Sequence, residues 1–489
     1  MTNTRHSHND QPTHIPCDNL GTTGFVKNVT YDIKHSESPK TIAITGYWGS
    51  GKTSCLAAIF NELTGIAPNE LQTGRQNQQK GSDCVGIWFE AWRYQHEASP
   101  IVALLHCIKN HFSTSSKFIN SVGKLTNISV LGALTVFDGV IKTASMGASG
   151  FDKIQKMGEK YEKDNLLSRL AADQINDALT QAVETLVGKK RKKLVIFIDD
   201  LDRCEPDVAY KLLEGLKLYL NIPNCTVVMA IDQQQVERFL QRQFMTLVPE
   251  QQAEAQSQYS YLGVEYLEKL CQEAHRLPVP RQDQKEAFFV HHLEALYRDN
   301  GAPQLVAELQ KVLAQFDCLP ANPRRLKMLA NRVAAYFRKC NYNGLAGELA
   351  DANDFYREFK PIEAPKREFV LSALVLIVAS LSVSYRRIYE SIEISEKAGM
   401  DIYNFCKETK NEQFNSNSSV FKELNKDHHD TSINANYEHP SDLSVFKLRC
   451  LFDTNYGLHH RAGITPAMLS DMMHQLIQHY NHGENDYAL

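Results

Sequence analysis

Gly46-Tyr47-Trp48-Gly49-Ser50-Gly51-Lys52-Thr53 is the stretch on which the reading of this chain turns. It fits GxxxxGK[ST] at every fixed position, a pattern that carries meaning only between a strand and a helix. Upstream, Thr41 to Thr45 is a short, β-branched apolar run that stops at Gly46, which predicts a buried parallel strand. Downstream, Thr53 to Leu63 predicts a helix. Glycines let the main chain wrap an anion with its N–H groups turned inward, and the helix aims its positive end at the same point. The expected ligand is therefore a nucleoside triphosphate with Mg²⁺. Gly46, Trp48, Gly49, Ser50, Gly51, Lys52, Thr53 and Ser54 are the expected binding residues. Lys52 would reach the β- and γ-phosphates, and Thr53 would bind Mg²⁺ through its hydroxyl.

Such a loop needs an acidic partner at the end of a neighbouring strand. Leu194 to Ile198 is fully apolar and ends in Asp199-Asp200. Asp199 is assigned to Mg²⁺ and Asp200 to orienting the attacking water, with the division of labour between them open. For Arg203 three readings stand: sensing phosphate, acting across a subunit boundary, or pairing with Asp202. Asp232, after the apolar run Thr226 to Ile231, is either a γ-phosphate sensor or a helix N-cap.

Cys84 to Phe89 predicts a further strand, and Val208 to Leu220 a helix. Tyr261 to Ala274 predicts another helix, Arg276 to Pro280 a short fifth strand, and helices are expected from Gln284 onward. Strands alternating with helices give an α/β fold, a parallel sheet flanked by helices.

The chain has 489 residues, enough for two or three domains. A hydrophobic fraction of 43% and a charged fraction of 22% are ordinary for a globular protein, and a net charge of −4 offers no field for non-specific nucleic-acid binding. The basic run Lys189 to Lys193 reads first as a solvated turn and second as a binding patch. Eleven cysteines without a CxxC pair indicate a reducing cytosol rather than disulfides or a zinc ribbon. The polar N-terminus is no secretory signal, so the expected location is cytoplasmic. The histidines near the C-terminus (His459, His460, His474, His479, His482) fit no common metal-ligand spacing.

Ile128 to Gly150 is interrupted by Asp138 and Lys142 and makes a poor membrane span. Phe369 to Tyr385 is uncharged but short and contains four serines, which favours a buried core helix over a membrane anchor. Residues 72–81, 250–258 and 410–440 read as polar loops.

Several segments together resemble the KAP family of P-loop NTPases. They are Ile44 to Ser54, Trp88-Phe89-Glu90-Ala91-Trp92-Arg93-Tyr94, and Ile198 to Cys204. Later come Ala230-Ile231-Asp232, Tyr266 to Lys269 with Leu277-Pro278, and Asn322-Pro323-Arg324-Arg325-Leu326-Lys327. The resemblance implies an ATPase core near the STAND and AAA-like groups, with ATP rather than GTP as nucleotide. Residues 1–20 read as a disordered tail, and the resemblance implies a core over 21–245 with a helical insertion at about 110–187, and a helical lid over 246–345. Residues 346–489 are left as a mainly helical region for partner binding. Bacterial members are associated with phage exclusion and defence gene clusters, which implies protein partners encoded nearby or a homo-oligomer. The family often places membrane helices in the insertion, but this one is too polar to span. Glu90 stands where the family often has Asn.

Asn322-Pro323 reads as an N-cap and first helical residue, setting Arg324 and Arg325 at the start of a lid helix. An arginine there either neutralises charge on the γ-phosphoryl or is a solvated surface group. Trp88 and Trp92 read as core or lid-packing aromatics. Four activities fit: a regulatory ATPase, a nucleotide-dependent scaffold, a DNA-remodelling or clamp-loading motor, and a membrane-anchored signalling ATPase.

Overall fold

The computed structural model describes residues 8–9, 11–66, 84–97, most of 100–108, 193–246, 265–297, 303–316, 318–339, 364–384, 386–395 and 462–482, with isolated residues elsewhere. These fall into two compact units. One comprises Pro12–Asp18 and Thr22–Pro278, and the other comprises Met1–Gln11, Asn19–Gly21 and Val279–Leu489. The loops expected at 72–81, 250–258 and 410–440, and nearly all of the insertion at 110–187, lie outside the described residues.

The first unit runs α1 (Thr22–His35), β1 (Lys40–Thr45), α2 (Lys52–Thr64), β2 (Cys84–Glu90), β3 (Lys193–Asp199), α3 (Pro206–Tyr219), β4 (Cys225–Ile231), α4 (Gln233–Thr246) and β5 (Glu273–Arg276). Its five strands are parallel, in the order β2-β3-β4-β1-β5. The continuous apolar runs of β3 and β4 follow from burial on both faces. Alternate residues of β3 feed two different cores. Val195 and Phe197 pack with Val26, Ile33, Leu56 and Phe60 of α1 and α2, while Leu194, Ile196 and Ile198 pack with Leu212 and Leu216 of α3. Phe197 and Phe60 are both fully buried and meet edge to face at 5.1 Å. Truncating such a ring to alanine costs about 3–5 kcal/mol. Helix α2 approaches β2 closely enough that a Cβ on Gly86 would stand 2.5 Å from Thr64 Cγ2.

Each expected strand but one forms within a residue of its expected limits. The exception is β5. Helix was expected as far as Ala274 and the strand over Arg276 to Pro280, but helix ends at residue 270 and the strand is Glu273–Arg276. Backbone pairing with β1, from Ile42↔Glu273 to Thr45↔Arg276, fixes this strand. Its side chains are only partly buried, so its periodicity carries little signal. Lys193, the last residue of the basic run, is not simply solvated. Its ammonium donates to Ile33 O at 3.0 Å and to Ser36 O, capping the carboxyl end of α1.

The stretch expected as a tail makes specific contacts where it is described. Asp18–Leu20 is a 3-10 turn, and Cys17 N–H donates to Thr22 Oγ1 at 2.9 Å.

The second unit contains α5 (Gln282–Tyr297), α6 (Pro303–Gln315), α7 (Pro323–Lys339), α8 (Ala364–Ser384), α9 (Arg386–Ile394) and α10 (Pro466–His482). Helix α8 is the segment expected as a core helix, and it is one. Val370, Leu371 and Ala373 to Ala379 are buried around its whole circumference, against α6, α7, α9 and α10. Ser380, also buried, returns its hydroxyl to Leu376 O at 2.6 Å. Among the described residues no helix is long and apolar enough to cross a membrane.

Candidate active site

The loop after β1 is closed by backbone and kept narrow by glycine. Gly46 N–H donates to Ile231 O at 3.3 Å, tying the loop to the end of β4. A Cβ on Gly46 would lie 2.7 Å from Ser50 Oγ and 3.3 Å from Leu277 Cδ1. Gly51 at φ 99 takes a left-handed conformation that other residues rarely adopt, and α2 starts immediately after it. No side chain caps that helix start. The first-turn N–H groups of α2, which in most helices find a side-chain cap, are therefore available to an anion.

Lys52 leaves α2 at its first residue and folds back over the loop. Its ammonium lies 3.0 Å from Gly46 O and 3.4 Å from Tyr47 O, and pairs with Asp202 Oδ2 at 3.1 Å. Thr53 Oγ1, in the first turn of α2, donates to Asp199 Oδ1 at 3.1 Å, although β4 lies between β3 and the β1 strand that leads into the loop. Ser54 Oγ accepts Thr13 N–H at 3.3 Å. Trp48 projects from the loop with 61% of its surface exposed.

The aspartates occupy the end of β3. Asp199 is buried, and desolvation together with the neighbouring Asp200 carboxylate pushes its pKa up to about 7. Asp200 is shifted upward too, mainly by burial, with Asp202 and Glu90 adding to the rise and Arg203 opposing it. Asp200 sits at φ 57, in the left-handed region that few non-glycine residues occupy. Such conformations cost on the order of 1–3 kcal/mol and concentrate at functional sites. Glu90 faces Asp199 in the strand register and pairs with Arg93 at 2.8 Å.

Mg²⁺ fits this arrangement. A hydroxyl and a carboxylate oxygen already share a short contact, and the crowded carboxylates would be relieved by a divalent cation. No group of three or more His, Cys, Asp or Glu among the described residues forms a metal cage. Mg²⁺ suits a site with one or two protein ligands, because it keeps water and phosphate oxygens in its shell.

The open alternatives resolve unevenly. Arg203 pairs with Asp200, Nε to Oδ1 at 2.9 Å, and not with Asp202 as one reading had it. The 3-10 turn Leu201–Arg203 swings the guanidinium back toward the residue three before it. Asp232 caps α4, its Oδ1 accepting Gln235 N–H at 3.4 Å. Asn322 caps α7, its Oδ1 accepting from Arg324 N at 3.0 Å and Arg325 N at 3.3 Å. Arg324 and Arg325 belong to the helical unit and are half-buried there. Trp88 packs on Phe60 and Phe197, as expected of a core aromatic. Trp92, with 48% of its surface exposed, does not. It sits in a 3-10 turn beyond the strand end, where the alternation that turns Trp88 toward the core no longer holds.

Sequence reasoning gave Asp202 no part beyond a partner for Arg203, yet it pairs with Lys52. The signal available was its place three residues after Asp199, within one turn of the strand end. Arg276 was missed as well. It ends β5 beside Thr45 of β1, and its charge acts on the Tyr47 hydroxyl, which burial pushes up to about 12.

The pattern of the KAP family P-loop domain matches residues 22–339. A relative, the phage T7 exclusion protein of Escherichia coli (strain K12), is 21% identical over 348 residues. The match covers 65% of this chain and 41% of the relative, so the chain spans well under half the length of that protein. With a phosphate loop, a buried lysine and a strand-end aspartate brought together, and the family pattern matched over more than half of its length, this chain belongs to the KAP family of P-loop domains.

Proposed function

We propose that this chain is a Mg²⁺-dependent ATPase that uses nucleotide turnover to switch a conformational or assembly state. The observation that carries this reading is the Thr53–Asp199 contact at 3.1 Å beside the uncapped start of α2. Lys52 and the loop amides would hold the phosphates, and Gly46 to Ser54 would supply the binding surface. Thr53 and Asp199 would hold Mg²⁺, which when bound neutralises charge on the phosphate oxygens. Asp200, beside Glu90 and anchored by Arg203, would orient the attacking water and take its proton. Arg203, released from Asp200 or still paired, is the first candidate to meet the developing charge, and Arg324 of the helical unit is the second. We assign the helical unit to the lid and to partner binding, either with a second copy of the chain or with proteins encoded nearby, in the cytoplasm. The likeness to the phage T7 exclusion protein supports a role in bacterial antiphage defence.

The test is steady-state hydrolysis by the wild type, Lys52→Ala and Asp200→Asn, with nucleotide binding measured alongside. Lys52→Ala is expected to lose binding. Asp200→Asn is expected to keep binding and to lose about 10²–10⁴-fold in turnover. Normal hydrolysis by Asp200→Asn would remove that residue from its role. DNA-stimulated turnover with a steep salt dependence would favour a DNA-remodelling motor instead.

A further inference from the structure

Lys52 has three ammonium hydrogens to donate and no acceptor. In this structure its Nζ is within hydrogen-bond range of three oxygens: Gly46 O at 3.0 Å, Tyr47 O at 3.4 Å and Asp202 Oδ2 at 3.1 Å. Two of these belong to the loop backbone and hold the lysine over the loop. The third is the only anion in the set and the only one on a side chain. Both partners of the pair are buried, with 9% and 7% of their side-chain surface exposed, so solvent and salt screen it little. The same Asp202 oxygen accepts Asp232 N–H at 3.1 Å. Asp232 is where α4 begins, its carbonyl receiving Val236 N–H at 3.0 Å.

We propose that Asp202 is a resident anion in the seat that the terminal phosphates take: it keeps Lys52 aligned, is exchanged for phosphate when nucleotide binds, and in leaving gives up the Asp232 amide at the start of α4. This rests on the reading of Lys52 as the phosphate-binding lysine. A phosphate oxyanion needs a hydrogen of Lys52, and the two loop carbonyls cannot yield theirs without opening the loop. The carboxylate is therefore the group that goes. Two anions beside one ammonium in a buried site repel strongly, which drives it off the amide as well. Asp202 is thus a positioning residue. It sets the affinity for the triphosphate tail, with no effect on the base, and it couples phosphate occupancy to the first turn of α4.

The experiment is an equilibrium titration of the full chain with Mg·ATP, inorganic triphosphate and adenosine, in the wild type, Asp202→Asn and Lys52→Ala. Asparagine keeps the shape and an oxygen for the Asp232 amide but removes the charge. Asp202→Asn is expected to bind ATP and inorganic triphosphate about tenfold tighter, a change of about 1.4 kcal/mol, with adenosine binding unchanged. A merely structural role would weaken all ligands together. Wild-type binding of ATP with equal or weaker binding by Asp202→Asn overturns the exchange alone. Failure of the wild type to bind triphosphate overturns the phosphate-loop reading and the exchange with it. Hydrogen exchange on the wild type needs no variant. The Asp232 amide is expected to exchange faster with nucleotide bound, opposite to the protection that ligand burial gives, and slower or unchanged exchange overturns the proposal.

Discussion

In the helical unit, the polar side chains around the buried Tyr336 form a hydrogen-bonded set. Tyr336 donates its hydroxyl to Tyr389 at 2.8 Å, Tyr389 donates to Asn481 Oδ1 at 3.3 Å, and Arg332 reaches Tyr480 at 3.3 Å. Lys285, also buried, donates to Leu319 O at 3.2 Å. At the carboxyl end of the sheet in the other unit, Asp199, Asp200 and Asp202 crowd within four residues of chain, with Glu90 opposite, and Lys52, Arg203 and Arg93 offset them. The first pattern stabilises one arrangement. The second leaves like charges in a low-dielectric place, which is tolerated where a ligand relieves it. The same chain thus has one region arranged for packing and another arranged for exchange.

That contrast can be broken most forcefully in the core of the helical unit. Leu374→Ala, at a fully buried position of α8, is expected to cost about 2–5 kcal/mol in denaturant unfolding of that unit. Mg·ATP affinity should stay within about twofold of wild type, since an energetically separate site adds no coupling term. A matching loss of affinity would mean that the two regions are not energetically distinct.

The charge crowding can be read through pH. The pKa of Asp199 in the folded chain, about 7, lies above its ordinary value, so folding favours the protonated carboxyl. That contribution is complete below the ordinary carboxylate range and disappears as pH rises through about 7. The metal-free chain is therefore expected to lose stability on going from pH 5 to pH 8, and Mg²⁺, competing with the proton, to restore it at the upper end. Nucleotide affinity in Mg²⁺ should rise up to about tenfold per pH unit below the pKa and level off above it. A flat profile in the wild type, or an unchanged one in Asp199→Asn, would contradict the assignment of Asp199.

A smaller effect is expected at the loop itself. Gly46→Ala would press a Cβ to 2.7 Å from Ser50 Oγ. It should weaken Mg·ATP binding by about tenfold while leaving the melting temperature of the helical unit unchanged. The smallest is Asn322→Ala, which removes the α7 cap and is expected to cost about 1 kcal/mol in unfolding. Hydrolysis should then be barely altered unless Arg324 serves the site.

The phosphate loop was legible because its information is local. Gly46 to Thr53 specify their own backbone, and the apolar runs on either side identify themselves by length and branching. The place of Asp199 was legible for the same reason, as the polar residue that ends an apolar strand. Helix α8 was harder, since a helix apolar all round has no period, and serines and length had to arbitrate. Residues Glu273–Arg276 misled because a partly exposed edge strand is specified by the β1 backbone and hardly by its own side chains. The Lys52–Asp202 pair and the turn of Arg203 onto Asp200 were invisible because both depend on a 3-10 turn, Leu201–Arg203, whose geometry no pattern in the chain announces.

The most direct measurement is equilibrium binding of Mg·ATP to the purified full chain and to Lys52→Ala, each verified as folded by circular dichroism. Saturable one-to-one binding by the wild type, dependent on Mg²⁺ and lost in Lys52→Ala, is the expected result. Equal binding by both chains, or no nucleotide retained by the wild type in the presence of Mg²⁺, would contradict the assignment of Gly46 to Ser54 as a phosphate-binding loop.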